Sequence, residues 1–255
     1  MVKNKFKDIA DQAVLKYNTP NFIIDDPISI PHEYTKKEDI EIAGLFAAII
    51  AWGQRKTILN NARKIMTYMD NAPHDFLLNH SDVDLKPMVN FVHRTFNGDD
   101  LLYFVYALSE IYKSRGGLET LFVDAYTKTK NMNDALGLVR DEFFAYEHMQ
   151  RTHKHFSDPR KGSAAKRLHM YLRWMVRNDN AGVDFGLWTK IPMSALMPPL
   201  DVHSARVARK WGLLERKQDD RKAVEELQAA LLSWDPDDPV KYDFALYGSG
   251  VNHEF

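Results

Sequence analysis

The chain has 255 residues, 45% of them apolar, with 34 basic side chains against 35 acidic ones and a net charge of −1. That length suits one large domain or two small ones, and the apolar content supports a true core. No cysteine is present, which excludes a disulfide framework, a thiolate zinc site, a cysteine-ligated iron–sulfur cluster and a cysteine nucleophile, and fits a reducing compartment.

The N-terminus, Met1 to Asp8, has no apolar run behind its lysines, so it does not read as a signal peptide. Asp39 is placed to cap a helix running through Glu41, Leu45, Ile49 and Trp52, with Gly53 as a break. The apolar run Ala43–Trp52, interrupted only by Gly44, is far short of the ~20 residues that a spanning helix needs. A second helix is predicted over Arg55–Met69. Leu101, Leu102, Phe104, Val105, Leu108 and Ile111 recur at helical spacing before Gly116-Gly117. Helices follow over Leu118–Lys128 and Met132–His148. Ser163–Arg177 places Leu168, Tyr171, Leu172 and Met175 on one face. Val202–Trp211 closes on Gly212, a good residue just past a helix end. Asp219–Trp234 is another helix. Asp238 caps the last one, Pro239 takes its first turn and Gly248 ends it. No alternation marks a strand. The expectation is an all-α, soluble, cytoplasmic monomer without a membrane partner.

Two features point to a site. The first is a long connection, Asn178–Leu200, with an apolar knot at Val183, Phe185, Leu187 and Trp188; long ordered loops are often functional. The second is the segment Arg151–Arg177. Arg151, Lys154, Arg160, Lys161, Lys166, Arg167, Arg173 and Arg177 face only Asp158 there, a net charge of +7. Such runs are ordinarily solvated helix faces. This one contains a lysine of particular interest, which favours an anionic ligand.

Lys166 follows Gly162-Ser163-Ala164-Ala165 where a loop enters a helix, and Asp201 lies in Pro198-Pro199-Leu200-Asp201-Val202-His203 where the next helix starts. The positive end of a helix favours a carboxylate and disfavours an ammonium. An amine with a lowered pKa beside a fixed carboxylate is what Schiff-base chemistry requires. Taken alone, Asp201 reads as a helix cap and Lys166 as a surface lysine. Their common setting changes that weighting. They face each other if the long loop folds back.

The order glycine, three residues, lysine, helix, loop, Leu200-Asp201-Val202-His203, then Arg206-Val207-Ala208-Arg209 and Gly212-Leu213-Leu214 resembles the helix-hairpin-helix DNA glycosylase superfamily. Lys166 matches that superfamily's hairpin lysine, and Asp201 the aspartate of its Val-Asp-Thr-His-like motif. The wide gap between them is similar to the archaeal 8-oxoguanine glycosylase branch, which also lacks iron–sulfur cysteines. The likeness covers roughly the last hundred residues and is looser upstream, where Ala47–Gln54 resembles the helix that carries a glutamine near DNA.

The resemblance implies a helix-hairpin-helix glycosylase-like fold over residues 1–255, one domain with two helical lobes and a cleft, its hairpin and catalytic motif at about 155–215. It implies base-excision repair: a DNA glycosylase with lyase activity on an oxidised purine such as 8-oxoguanine. Lys166 and Asp201 would be catalytic. Gln54, Asp243 and Tyr247 would hold the flipped base. Arg160, Lys161, Gly162, Ser163 and Arg167 would contact the damaged duplex. No metal and no organic cofactor is called for. Two departures stand out. Ala164 replaces the hairpin's second glycine, a costly change wherever φ must be positive. Tyr247 replaces a tryptophan one helical turn after Asp243; an acid near a cap and a core aromatic would show the same spacing. Two other readings stay open: a helical nucleic-acid-binding protein without catalysis, and a metal-dependent hydrolase using His153 and His155, for which no carboxylate pair lies nearby.

Overall fold

A computed structural model describes residues 2–254, with side chains from Phe6 onward. The described residues are all-α in class. Twelve helices are joined by short 3-10 turns and by one two-stranded hairpin. They are α1 (Val2–Tyr17), α2 (Lys37–Ile49), α3 (Arg55–Tyr68), α4 (Pro73–Asn79), α5 (Asp82–Leu85), α6 (Gly98–Arg115), α7 (Leu118–Thr129), α8 (Met132–Phe143), α9 (Lys166–Val176), α10 (Val202–Lys210), α11 (Arg221–Leu232) and α12 (Tyr242–Asn252). The hairpin pairs β1 (Val92–His93) with β2 (Phe96–Asn97). Among the described residues no helix is long and apolar enough to cross a membrane.

The chain divides into two compact units. The central unit holds Asp25–Lys130 and Asp134–Ser157; the terminal unit holds the residues up to Ile24, Asn131–Asn133 and the chain from Asp158 on. Nearly all of α2 is buried, which explains its apolar run: it is the central unit's core helix. Its one buried carboxylate, Glu41, accepts a hydrogen bond from Tyr112 Oη at 2.7 Å, as a buried polar group must. Phe104 of α6 stacks edge-on with Phe96 and Phe143, at 5.4 and 4.7 Å between ring centres. Asn97 and Asp100 form a capping box at the start of α6, and Gly116 at φ 74° ends it, the left-handed closure that the glycine pair implies.

In the terminal unit α12 packs against both α1 and α10. Two glycines make that possible. A Cβ on Gly248 would run into the Tyr17 ring, and one on Gly250 would stand 2.8 Å from the His203 carbonyl oxygen. Gly248 therefore does not end the last helix. It lies inside α12 and lets α1 approach. Eight of the eleven residues of α9 are buried, so its basic look conceals a core helix.

Other boundaries shift for local reasons. The helix expected from Asp39 begins at Lys37, and Asp39 instead accepts the His74 amide at 2.8 Å. α8 stops at Phe143, five residues before His148, where the backbone tightens from Glu142 to Ala145. Asp238 opens a 3-10 turn without a side-chain cap, because Arg177 takes its carboxylate at 3.0 Å. Only half of α1's sixteen residues are apolar, which hides its helical face in the sequence; Ala10 is buried and Phe6 stacks on Trp211. The hairpin strands, two residues each, are too short for alternation to register.

Candidate active site

The loop Asn178–Leu200 does fold back. Its Phe185 and Trp188 amides donate to the Trp174 and Met175 carbonyls at the end of α9, at 2.8 and 2.9 Å. These last-turn carbonyls lack helical partners of their own, so the loop satisfies groups the helix leaves open. Trp188 is fully buried, edge-on to Tyr171 at 5.5 Å. Burial of a large apolar side chain is worth about 1.5–3 kcal/mol. The return of this loop carries α10 to α9.

Lys166 is the first residue of α9, and its Nζ lies 2.9 Å from Asp201 Oδ2. α9 does not begin at Ser163. Ser163 Oγ accepts the Ala165 amide at 3.1 Å, and Ala165 itself adopts φ 44°, so the helix can start only at Lys166. The strained position is Ala165, not Ala164: the left-handed residues of this turn are Gly162 at φ 88° and Ala165. A left-handed alanine costs roughly 1 kcal/mol or more, and this one immediately precedes the lysine.

Asp201 splits its two oxygens between two tasks. Oδ1 accepts the His203 and Ser204 amides at 2.9 Å each and Ser204 Oγ at 2.8 Å, a capping box for α10. Oδ2 faces Lys166. Burial works to raise the Asp201 carboxyl, but the Lys166 charge and these hydrogen bonds outweigh it, and the group is held below the ordinary carboxylate range. Asp201 is thus a fixed anion, while Lys166 keeps over a third of its side chain exposed (36%).

Asp243 belongs to the same electrostatic neighbourhood. It is buried on α12 and accepts from Arg173 Nη1. Burial, with Asp201's negative charge adding to it, pushes its carboxyl up to about 6 against the pull of Arg173 and Lys166. Tyr247, half-buried one turn later, stands edge-on to Phe22 and His203, each at 6.3 Å. Gln54 is in the central unit, at the start of α3.

The residues expected to contact DNA fare unequally. Arg160 folds back on Asp158, with Nε to Oδ1 at 3.0 Å and Nη2 to Oδ2 at 3.1 Å. Lys161 is exposed. Gly162 is exposed and a Cβ there would meet nothing within 4 Å, yet its amide is spent on the Pro159 carbonyl at 2.9 Å. Its carbonyl accepts the Arg221 amide at 3.0 Å, which ties the turn to the start of α11. Burial draws Arg167 down to about 10, which leaves it cationic at neutral pH.

The +7 segment is largely neutralised inside the fold. Arg151 pairs with Asp100, Arg160 with Asp158, Lys166 with Asp201, Arg173 with Asp184 and Asp243, and Arg177 with Asp179, Asp184 and Asp238. It also spans both units, with Arg151 and Lys154 in the central one and the rest in the terminal one. His153 and His155 diverge: Nε2 of His153 meets Nε2 of His148 at 2.5 Å, whereas His155 faces Asp100 at 3.1 Å. No group of three metal-ligating side chains occurs among the described residues.

A model of the DUF2400 family, described as proteins of unknown function, matches residues 26–252. The chain belongs to that family. No curated protein and no solved structure matches it. The DUF2400 match takes in Lys166, Asp201, Arg173, Asp184 and Asp243, and leaves α1 outside it. Sequence reasoning missed two parts of this site. The Arg173–Asp184–Arg177 network could have been suspected from Arg173 and Arg177, one helical turn apart among the apolar residues Leu172, Trp174, Met175 and Val176 at the end of α9. His169, fully buried with Nε2 3.0 Å from Asn133 Oδ1, is drawn down to about 3 by burial and so stays neutral. Nothing local announces it.

Proposed function

We propose that this protein is a DNA glycosylase with associated lyase activity, built on a helix-hairpin-helix glycosylase-like scaffold. The supporting observation is the Lys166–Asp201 pair: an amine and a fixed carboxylate 2.9 Å apart at the starts of two successive helices. The substrate is a damaged nucleotide turned out of the duplex, since the sugar C1′ is unreachable inside the stack. The amine of Lys166, having given up its proton, attacks C1′. The C1′–N bond breaks, and the base leaves with its electron pair and takes up a proton. Asp201 offsets the positive charge that develops on the sugar, and a charge fixed in advance by three capping hydrogen bonds needs no reorganisation to do so. Loss of a further proton from nitrogen and ring opening give the Schiff base. Removal of a C2′ proton then expels the 3′ phosphate.

For the base we propose an oxidised purine, 8-oxoguanine first. An ionised Asp243 would accept from the N–H edge of such a base, and Tyr247 would offer it an aromatic face. The test is borohydride trapping on abasic and damaged duplexes. Wild type should link covalently to DNA and Lys166→Gln should not. A wild-type protein that binds duplex DNA yet forms no adduct would make this a binding protein without the chemistry.

A further inference from the structure

The central unit carries a second, structurally independent arrangement of cations around its hairpin. β1 and β2 pair His93 with Phe96, so Arg94 and Thr95 form the whole turn. Arg94 sits at φ 55°, a region that glycine and asparagine occupy far more readily than arginine. Its side chain lies over Gly53: a Cβ there would stand 3.1 Å from Arg94 Nη1 and 3.2 Å from Cδ. Gly53 is itself at φ 109°. A side chain at position 53 would press on the guanidinium and push it aside by a few tenths of an ångström, so glycine gives it room to lie there.

The hairpin is held rigidly at both ends. His93, almost wholly buried, bridges Asn61 Nδ2 at 2.9 Å and the Trp52 carbonyl at 3.1 Å, fastening β1 to α3 and to the α2–α3 turn. At the other end Arg151 donates to the Thr95 carbonyl, to Asn97 Oδ1 and to Asp100 Oδ2, at 2.8, 2.6 and 2.8 Å. Asp100 is fully buried. Burial works to raise its carboxyl, but hydrogen bonds from His155, Asn97 and Thr152 overcome this and hold it near 2. It is a permanent anchor at physiological pH.

One exposed guanidinium thus lies over Gly53, immediately before the exposed residues Gln54, Arg55 and Lys56, which open α3 without an acid in its first turn. Lys56 and Arg94 make no ion pair among the described residues, in contrast to the paired basic residues of α9. Arg94 is fixed by its backbone and left open to solvent. Guanidinium forks and lysine ammonium groups suit phosphate oxygens.

We infer that Arg94 and Lys56, with Gln54 and Arg55 beside them, form a phosphate clamp for the backbone of a nucleic-acid strand. The clamp gives the central unit its own contact with DNA. It extends the glycosylase reading, but it requires only that the protein bind DNA and not that Lys166 react.

The experiment measures binding of a fluorescein-labelled undamaged duplex by anisotropy across a salt series, for wild type, Arg94→Gln, Lys56→Gln and the double variant. Each single change should lower the slope of log K against log salt by about 0.9 and weaken binding roughly eightfold at 0.1 M salt, and the double change should lower the slope by about 1.8 and weaken binding about sixtyfold. Both side chains are exposed, so unfolding temperatures should stay at the wild-type value, and borohydride trapping at saturating DNA should stay intact. An unchanged slope in the double variant overturns the clamp, even if Lys166 crosslinks normally. A lowered slope with no adduct from wild type upholds the clamp and removes the lyase reading. Displacement of the duplex by polyglutamate of equal charge, lost in the double variant, would make the patch a site for acidic polypeptides and overturn the assignment.

Discussion

In the terminal unit, Lys166, Arg173 and Arg177 each face carboxylates, and the two arginines are almost wholly buried. In the central unit, Arg94 and Lys56 face water. The residue types are the same and the energetics are opposite. A buried cation is an obligation: its partner must be present, or the desolvation penalty of the remaining charge is uncompensated. An exposed cation on a rigid backbone contributes little to stability and stays available to an outside anion. Net charge along the sequence does not separate the two cases, because Arg173 and Arg94 count alike. What separates them is whether a carboxylate arrives from elsewhere in the fold. Asp184 and Asp243 do so for Arg173; nothing among the described residues does so for Arg94.

This contrast can be broken at several points. The largest effect belongs to Lys166→Gln, which should abolish the borohydride-trapped adduct altogether while the circular dichroism spectrum stays that of wild type; a persistent adduct would move the nucleophile elsewhere. Arg173→Met comes next. It leaves Asp184 and Asp243 facing one charge fewer in a buried setting, so it should cost about 3–5 kcal/mol by denaturant titration, whereas Arg94→Gln should cost almost nothing. Equal losses would erase the distinction between the two regions. Asp201→Asn keeps a capping group, so the melting point should hardly move. It removes a charge that acts in the transition state, so single-turnover excision should fall about 10²–10³-fold with DNA affinity retained. Loss of affinity and rate in equal measure would make Asp201 structural.

Smaller effects sharpen the picture. Asp243 titrates near 6, raised by burial, so it is neutral below that pH and ionised above it. If its carboxylate accepts hydrogen bonds from the base, preference for 8-oxoguanine over uracil should rise as pH increases through about 6, and Asp243→Asn should flatten that step. A pH-independent preference would remove Asp243 from the base pocket. The raised value also has a stability consequence of fixed sign: the native state holds a proton that the unfolded chain has released, so this group's contribution is largest at acid pH and declines as pH rises through about 6. Smallest of all, Lys161→Gln should lower the salt slope of DNA binding by about 0.9, whereas Arg160→Gln should leave it nearly unchanged because Arg160 already grips Asp158. The reverse order would mean that the turn holding Arg160 and Asp158 opens on binding.

How much of this was legible in the sequence follows from the range of the forces involved. Helix periodicity is local, and it located α3, α6, α7, α10 and α11 to within a few residues. The Lys166–Asp201 pair was legible because each partner carries its own local signature, a glycine turn and a capping position. The helix start at Lys166 was not, because it depends on Ala165 adopting a conformation that alanine's propensities oppose. The compensation of the +7 segment was hidden for a different reason. Asp100, Asp184, Asp238 and Asp243 reach it from outside the segment, and their arrival is a product of packing. The Arg94 turn is hidden because two-residue strands carry no period at all.

The terminal unit has a history that the central unit lacks. Its first helix, α1, is secured by the last: Gly248 admits Tyr17, Tyr242 Oη donates to Asp11 at 2.9 Å, and Lys16 and Tyr17 hold Glu254 at 2.7 and 2.6 Å. During synthesis α1 emerges first and must wait, without its partner surface, until more than two hundred further residues have been added. The central unit, whose segments lie almost entirely in between, has all its pieces well before that. Order of emergence from the ribosome therefore separates the two units: the central unit's segments are all synthesised before α12, the helix that α1 and α10 pack against.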